Sequence, residues 1–156
     1  MILKLALTYV GAFFMLKRRY NVAYSGFLFK VGDYVVSGKD IISADGISIT
    51  RNVQDVDSYR DANGELHREA LEHAPIKVEF STRNMLTDEQ LQGFLSNIRR
   101  NYVNEAERKV LATVYVPELG DYKTCYMYMS TPTAEIYGIL KGIVYYKSMR
   151  LSFIEY

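Results

Sequence analysis

The sequence predicts a mainly β domain with one α-helix, and three observations carry that prediction. Apolar residues alternate with polar ones at period two in several separate stretches, as in half-buried strands. One stretch alone shows the i, i+3, i+4, i+7 spacing of a helix. The chain also holds 14 Tyr and no Trp, and tyrosine suits strand positions where the ring packs while the hydroxyl stays wet. At 156 residues with 49% hydrophobic and 24% charged residues, the chain has the size and composition for one packed core.

The chain opens on a leader, residues 1–26. It contains the apolar run Leu5 to Leu16 followed by Lys17-Arg18-Arg19, with four basic residues and no acid. The run is short of the ~20 apolar residues that cross a bilayer, and its basic cluster lies on the wrong side for a signal peptide. The segment is therefore expected to be an assembly element, with Phe13 and Phe14 as contact residues, rather than a membrane anchor; Met15 offers an alternative start.

Residues 27–156 are read as a single β-rich domain. Phe27 to Val31 and Tyr34 to Val36 flank Gly32-Asp33, a pair suited to a tight hairpin turn. Ile47, Ile49, Arg51 and Val53 alternate with Ser48, Thr50 and Asn52. Residues 54–73 then turn polar and acidic, with Val56, Leu66 and Leu71 as their strongly apolar side chains and Asn63-Gly64 as a turn signal, so they are expected to project as an arm. Ala74, Ile76, Val78 and Phe80 restore the strand period. Thr87 and Gln90 have the form of a capping box, opening a helix whose stripe is Leu91, Phe94, Leu95 and Ile98. Val110 to Val116 and Tyr122 to Met129 form a second hairpin around Pro117 to Asp121; Tyr122, Thr124, Tyr126 and Tyr128 share one face, and Cys125, Met127 and Met129 the other. Ile136 to Tyr146 and Met149 to Tyr156 are read as two last β segments.

A net charge of +1 provides no field to hold a polyanion, which disfavours nucleic acid as a partner. The lone Cys125 leaves no intramolecular disulfide and fits assembly in a reducing cytoplasm. No catalytic, cofactor or metal site is expected. The two histidines, His67 and His73, have no spacing that helix or strand geometry turns into a shared site, and one Cys with two His offers no familiar zinc pattern. Gly32 to Lys39 resembles a phosphate-binding loop only superficially, because five residues separate its glycines and Asp40 stands where a hydroxyl is needed. The acids of the arm lack the spacing of a calcium loop.

The succession Asp57-Ser-Tyr-Arg60-Asp-Ala-Asn63-Gly64-Glu-Leu-His-Arg68-Glu, Lys77-Val-Glu-Phe80, Leu86-Thr-Asp-Glu-Gln90, Leu140-Lys-Gly142 and Leu151-Ser-Phe-Ile-Glu155 resembles a family of uncharacterised tail-associated proteins of long-tailed phages and prophages of Gram-positive bacteria. The resemblance covers residues 27–156. It implies a β-sandwich or rolled barrel like that of phage tail-tube proteins and a structural role in a tail ring, at the tube, tip or baseplate, with six copies as the expected ring and other tail proteins as neighbours. It further implies residence in the virion tail after assembly in the host cytoplasm. The expected contact residues in the body are Arg60, Asn63, Gly64, Arg68, Tyr122, Tyr126 and Tyr128, with Arg60 and Arg68 pairing to acids across the interface. The alternatives are a small β-barrel module binding a host-surface glycan or peptide, and a head-tail connector ring protein.

Overall fold

A computed structural model describes residues 24–156. Its strands are β1 (Phe29–Val31), β2 (Tyr34–Val35), β3 (Ile42–Arg51), β4 (Asp55–Arg60), β5 (Leu66–Ala70), β6 (Ile76–Thr82), β7 (Leu86–Thr87), β8 (Tyr102–Asn104), β9 (Lys109–Val116), β10 (Asp121–Met129), β11 (Ile136–Leu140), β12 (Ile143–Tyr146) and β13 (Arg150–Glu155), with one helix, α1 (Asp88–Arg99), among the described residues. The principal sheet is antiparallel in the order β2-β1-β9-β10-β13-β6-β3, with β8 also paired to β9. Two smaller sheets stand apart: β11-β12-β7, and the β4-β5 pair. The fold is thus mainly β with a single described helix, as the sequence predicts.

The sheet is rolled. In the strand order β1 and β6 are four steps apart, which in a flat sheet would separate them by ~19 Å. Instead the Phe29 and Phe80 ring centroids lie 6.4 Å apart, and Phe29 and Phe153 only 4.8 Å. Alternation provides the inner wall: β6 buries Ile76, Val78, Phe80 and Thr82 while the residues between them are half-exposed. β9 does the same with Val110, Ala112, Val114 and Val116. Helix α1 covers the side towards which Phe80 points, because its stripe buries Leu91, Phe94 and Ile98 and Phe94 lies 6.4 Å from both Phe80 and Tyr34. Its start is the expected capping box. Thr87 Oγ1 accepts from the Gln90 backbone N–H and the Gln90 side chain accepts from the Thr87 N–H.

Polar groups inside the roll are satisfied. Thr82, buried between β6 and β13, accepts the Met149 N–H at its hydroxyl (2.9 Å) and the Ser148 hydroxyl at its carbonyl (2.6 Å). Among the described residues no buried side-chain nitrogen or oxygen lacks a partner, as a stable core requires.

Two sequence expectations change. Ile136 to Tyr146, read as one segment, is a hairpin: Lys141 (φ 51°) and Gly142 (φ 80°) both take left-handed backbone between β11 and β12, the combination a type I′ turn demands. The boundary of the leader also moves. Residues 1–23, including Phe13 and Phe14, lie outside the described residues, but Tyr24, Ser25 and Gly26 already belong to the body. The Ser25 N–H donates to the Tyr122 hydroxyl at 2.9 Å, and the Tyr24 and Tyr115 rings meet edge-on at 5.7 Å.

Candidate functional site

The acidic arm is a self-contained hairpin of β4 and β5, exposed along both strands. Its few apolar side chains give it nothing to bury against the body, so its order comes from its own turn and cross-strand contacts. Gly64 takes φ +82°, and the Asp61 carboxylate accepts the Asn63 and Glu65 N–H groups at 2.9 and 3.0 Å. His67 Nε2 sits 3.1 Å from the other Asp61 oxygen while its ring stacks on Tyr59 at 4.9 Å.

Within the chain both arginines of the arm have partners. Arg68 Nε donates to both oxygens of Asp55 (2.7 and 2.9 Å), and Arg60 donates to the Gly64 carbonyl at 2.8 Å. Both therefore brace the arm from within. The Asp61, Glu65 and His67 ligand atoms fall within 4.8 Å of one another, but the Asp61 oxygens are already accepting the bonds that hold the turn.

The Asp61 pKa is lowered, first by the hydrogen bond from His67 and then by the Glu65 backbone N–H; desolvation opposes them, and the Asn63 and Gly64 N–H groups add less. A depressed carboxylate stabilises the folded turn above its unfolded pKa of about 3.9, and that contribution is lost as pH falls through the lowered folded value. The Asn63 and Glu65 amide resonances should consequently track a transition on the acid side of 3.9. His67→Ala should move its midpoint upward; an unmoved midpoint would show that His67 does not hold Asp61.

The Tyr-rich hairpin divides into two parts. Tyr126 and Tyr128 are exposed on the outer face of β10 while Met127 and Met129 are buried beneath. Lys109 Nζ lies 5.0 Å from the Tyr126 ring and 4.2 Å from that of Tyr156, and Tyr128 meets Tyr156 at 5.7 Å. Together they form an exposed aromatic patch with one cation at its centre. Tyr122 is not part of it. Its hydroxyl donates to the Phe27 carbonyl at 2.6 Å and its ring packs on Phe27 and Tyr115 at 4.8 and 5.3 Å, so it anchors the chain entering β1.

The structure brings together three residues that the sequence separates. His73, Cys125 and Glu155 share one cleft, with His73 Nε2 3.9 Å from Glu155 Oε1. Burial, followed by the Glu155 carboxylate, pushes the Cys125 thiol up to about 12, the opposite of the depressed pKa an activated thiolate needs. Glu155 also accepts the Ile76 N–H at 2.7 Å, which makes it a clasp between β6 and β13.

A surface not singled out from the sequence is the β11–β12 hairpin. Ile136, Tyr137, Ile139, Leu140 and Ile143 are all exposed, and Lys141 is the one charged residue in positions 136–146. The available signal was Lys141-Gly142 between two apolar runs, a turn pair less familiar than Asn-Gly. Among the described residues no helix is long and apolar enough to cross a membrane.

Comparison with solved structures finds similarity to a chain from the tail of an empty GTA particle determined with helical refinement in C6 symmetry. The two are 17% identical with a TM-score of 0.46, over 86% of this chain and 95% of that one. No curated protein matches the sequence. A family model matches residues 22–156, nearly the whole chain, and the protein therefore belongs to the family described as a family of unknown function (DUF6711).

Proposed function

We propose that the protein is a structural subunit of a bacteriophage tail, one copy in a ring of six at the tube, tip or baseplate, working through subunit contacts and not through catalysis. In this reading its neighbours are further copies of itself and other tail proteins, and it resides in the virion tail after assembly in the host cytoplasm. The observation that supports it best is the pairing of a closed core with projections that have no core of their own: the polar β4–β5 arm, the apolar β11–β12 hairpin and the aromatic patch at Tyr126 and Tyr128. Contiguous exposed apolar surface of this kind marks contact sites, and the sequence resemblance set out above supplies the tail setting.

Mass measurement of the purified chain over a wide concentration range tests the ring. A closed oligomer is expected; a monomer at every concentration that also fails to join tail particles would remove the proposal. The arm gives a second test. Replacing Asn63-Gly64 by Ala-Ala forces a Cβ into the left-handed position of Gly64 (φ +82°), which costs about 1–2 kcal/mol locally. Because the arm is exposed throughout, the melting of the body should stay unchanged while incorporation into particles falls. Normal incorporation would reduce the arm to a surface loop.

A further inference from the structure

The chain carries an apolar projection and an apolar groove, and neither is filled within the described part of the molecule. The projection is the β11–β12 hairpin, where Ile139 is 66% and Leu140 53% exposed. Among the described residues only its base is held, where Tyr145 and Tyr146 of β12 pair with β7; beyond that it carries exposed apolar side chains on both faces, so its sequence is suited to being surrounded. The groove, of about 390 Å³, lies where the two edges of the rolled sheet approach each other. Phe27, Leu28, Val35 and Val36 line one side and Ile42 and Ile47 the other, with Leu28 and Val35 exposed. It is an open seam between edge strands β2 and β3, the part of a sheet that proteins normally cover.

We propose that the β11–β12 hairpin of one copy inserts into the β2/β3 seam of the next, so that each chain presents a finger and a socket in a head-to-tail contact. This rests on the ring reading above and specifies its interface. The occupant is a second copy because both complementary halves belong to the same chain. The exposure of the finger also shows that it is not seated in a socket of its own. The charges balance towards the pairing: Lys141, the finger's single charge, stands at its tip, and although Lys39 lines the seam, Asp40 and Asp45 are both exposed close to it in the chain, which leaves that edge net negative. A heterologous contact of this kind closes into a ring where the rotation permits and otherwise propagates as a filament.

The test uses the full chain and two single variants, Ile139→Lys in the finger and Val35→Lys in the socket, with sedimentation of each alone and of their equimolar mixture. Both positions are exposed, so each variant should melt with the wild type. Each alone should be monomeric where the wild type is oligomeric. Their mixture should stop at dimers, because the intact finger of one fits the intact socket of the other and each dimer ends in two spoiled halves. Oligomers that persist in both variants would overturn the finger-and-socket contact while leaving the ring reading intact. A wild type monomeric at every concentration would overturn both. Loss of assembly with Val35→Lys alone would assign the seam to another segment, such as residues 1–23, and overturn the proposal. Intact oligomers combined with phosphatidylcholine vesicle binding that Ile139→Lys abolishes would overturn it in favour of a membrane role for the finger.

Discussion

Phe153→Ala is expected to destabilise the domain by about 3–5 kcal/mol, the range for truncating a buried Phe, and to lower its melting temperature by on the order of 10 °C. Phe153 is fully buried on β13. Its ring lies 4.8 Å from Phe29 on β1 and 6.3 Å from Phe80 on β6, nearly parallel to the latter at 14°. Those two strands lie on opposite sides of β13 in the sheet order, so this one side chain fills the space into which the sheet curls. Removing it leaves a void bounded by strands that cannot approach one another without unrolling the sheet.

Tyr126→Ala provides the contrast. A similar ring is lost from the neighbouring strand β10, but from its exposed outer face, where substitutions usually stay within about 0.5 kcal/mol. Urea unfolding of both variants measures the difference. Comparable losses for the two would mean that the outer patch, not the inner aromatic cluster, holds the roll together.

That contrast also explains how much was legible in the sequence. Ile76, Val78 and Phe80 announce an inward face because one side of β6 is buried and the other half-exposed, and period two records that asymmetry directly. Thr87 and Gln90 are equally readable, since a capping box is a local contract between residues three apart. The assembly surface is less so. On β11 and β12 apolar residues point both ways, so alternation is silent, and the left-handed turn is entrusted to Lys141, which turn chemistry does not favour. The arginines of the arm show a different limit. Composition identified an acidic hairpin, but whether Arg68 bonds Asp55 of its own chain or an acid elsewhere depends on register, which composition does not encode. Parity groups Tyr122 with Tyr126 and Tyr128, but parity cannot foresee that Ser25 and Phe27 return to contact it.

Gly32→Ala is the second substitution expected to have a large effect, and its cost divides into two separable parts. Gly32 turns the chain from β1 to β2 with φ +55°, a conformation that costs an L-residue about 1–2 kcal/mol. A Cβ there would also lie 2.0 Å from Asn101 Oδ1 and 2.6 Å from Asn101 Cγ. The Asn101 side chain is not free to swing aside at no cost, because its Nδ2 donates to the Asn97 carbonyl at 2.8 Å just past the end of α1. Meanwhile the Gly32 N–H is bonded to the Leu111 carbonyl at 2.8 Å, which fixes the turn against β9. Overpacking of this kind typically costs about 1–3 kcal/mol, so the single variant should lose roughly 2–5 kcal/mol in all. Asn101→Ala alone should lose about 1 kcal/mol with its hydrogen bond. In the Gly32→Ala/Asn101→Ala double variant the collisions with Oδ1 and Cγ disappear, leaving a milder contact with the Cβ of residue 101 at 3.2 Å, while the backbone term remains, so the loss should be smaller than the sum of the two singles by most of the overpacking cost. Strict additivity in urea unfolding would show that backbone strain at Gly32, and not the close approach of Asn101, is why glycine stands at this turn.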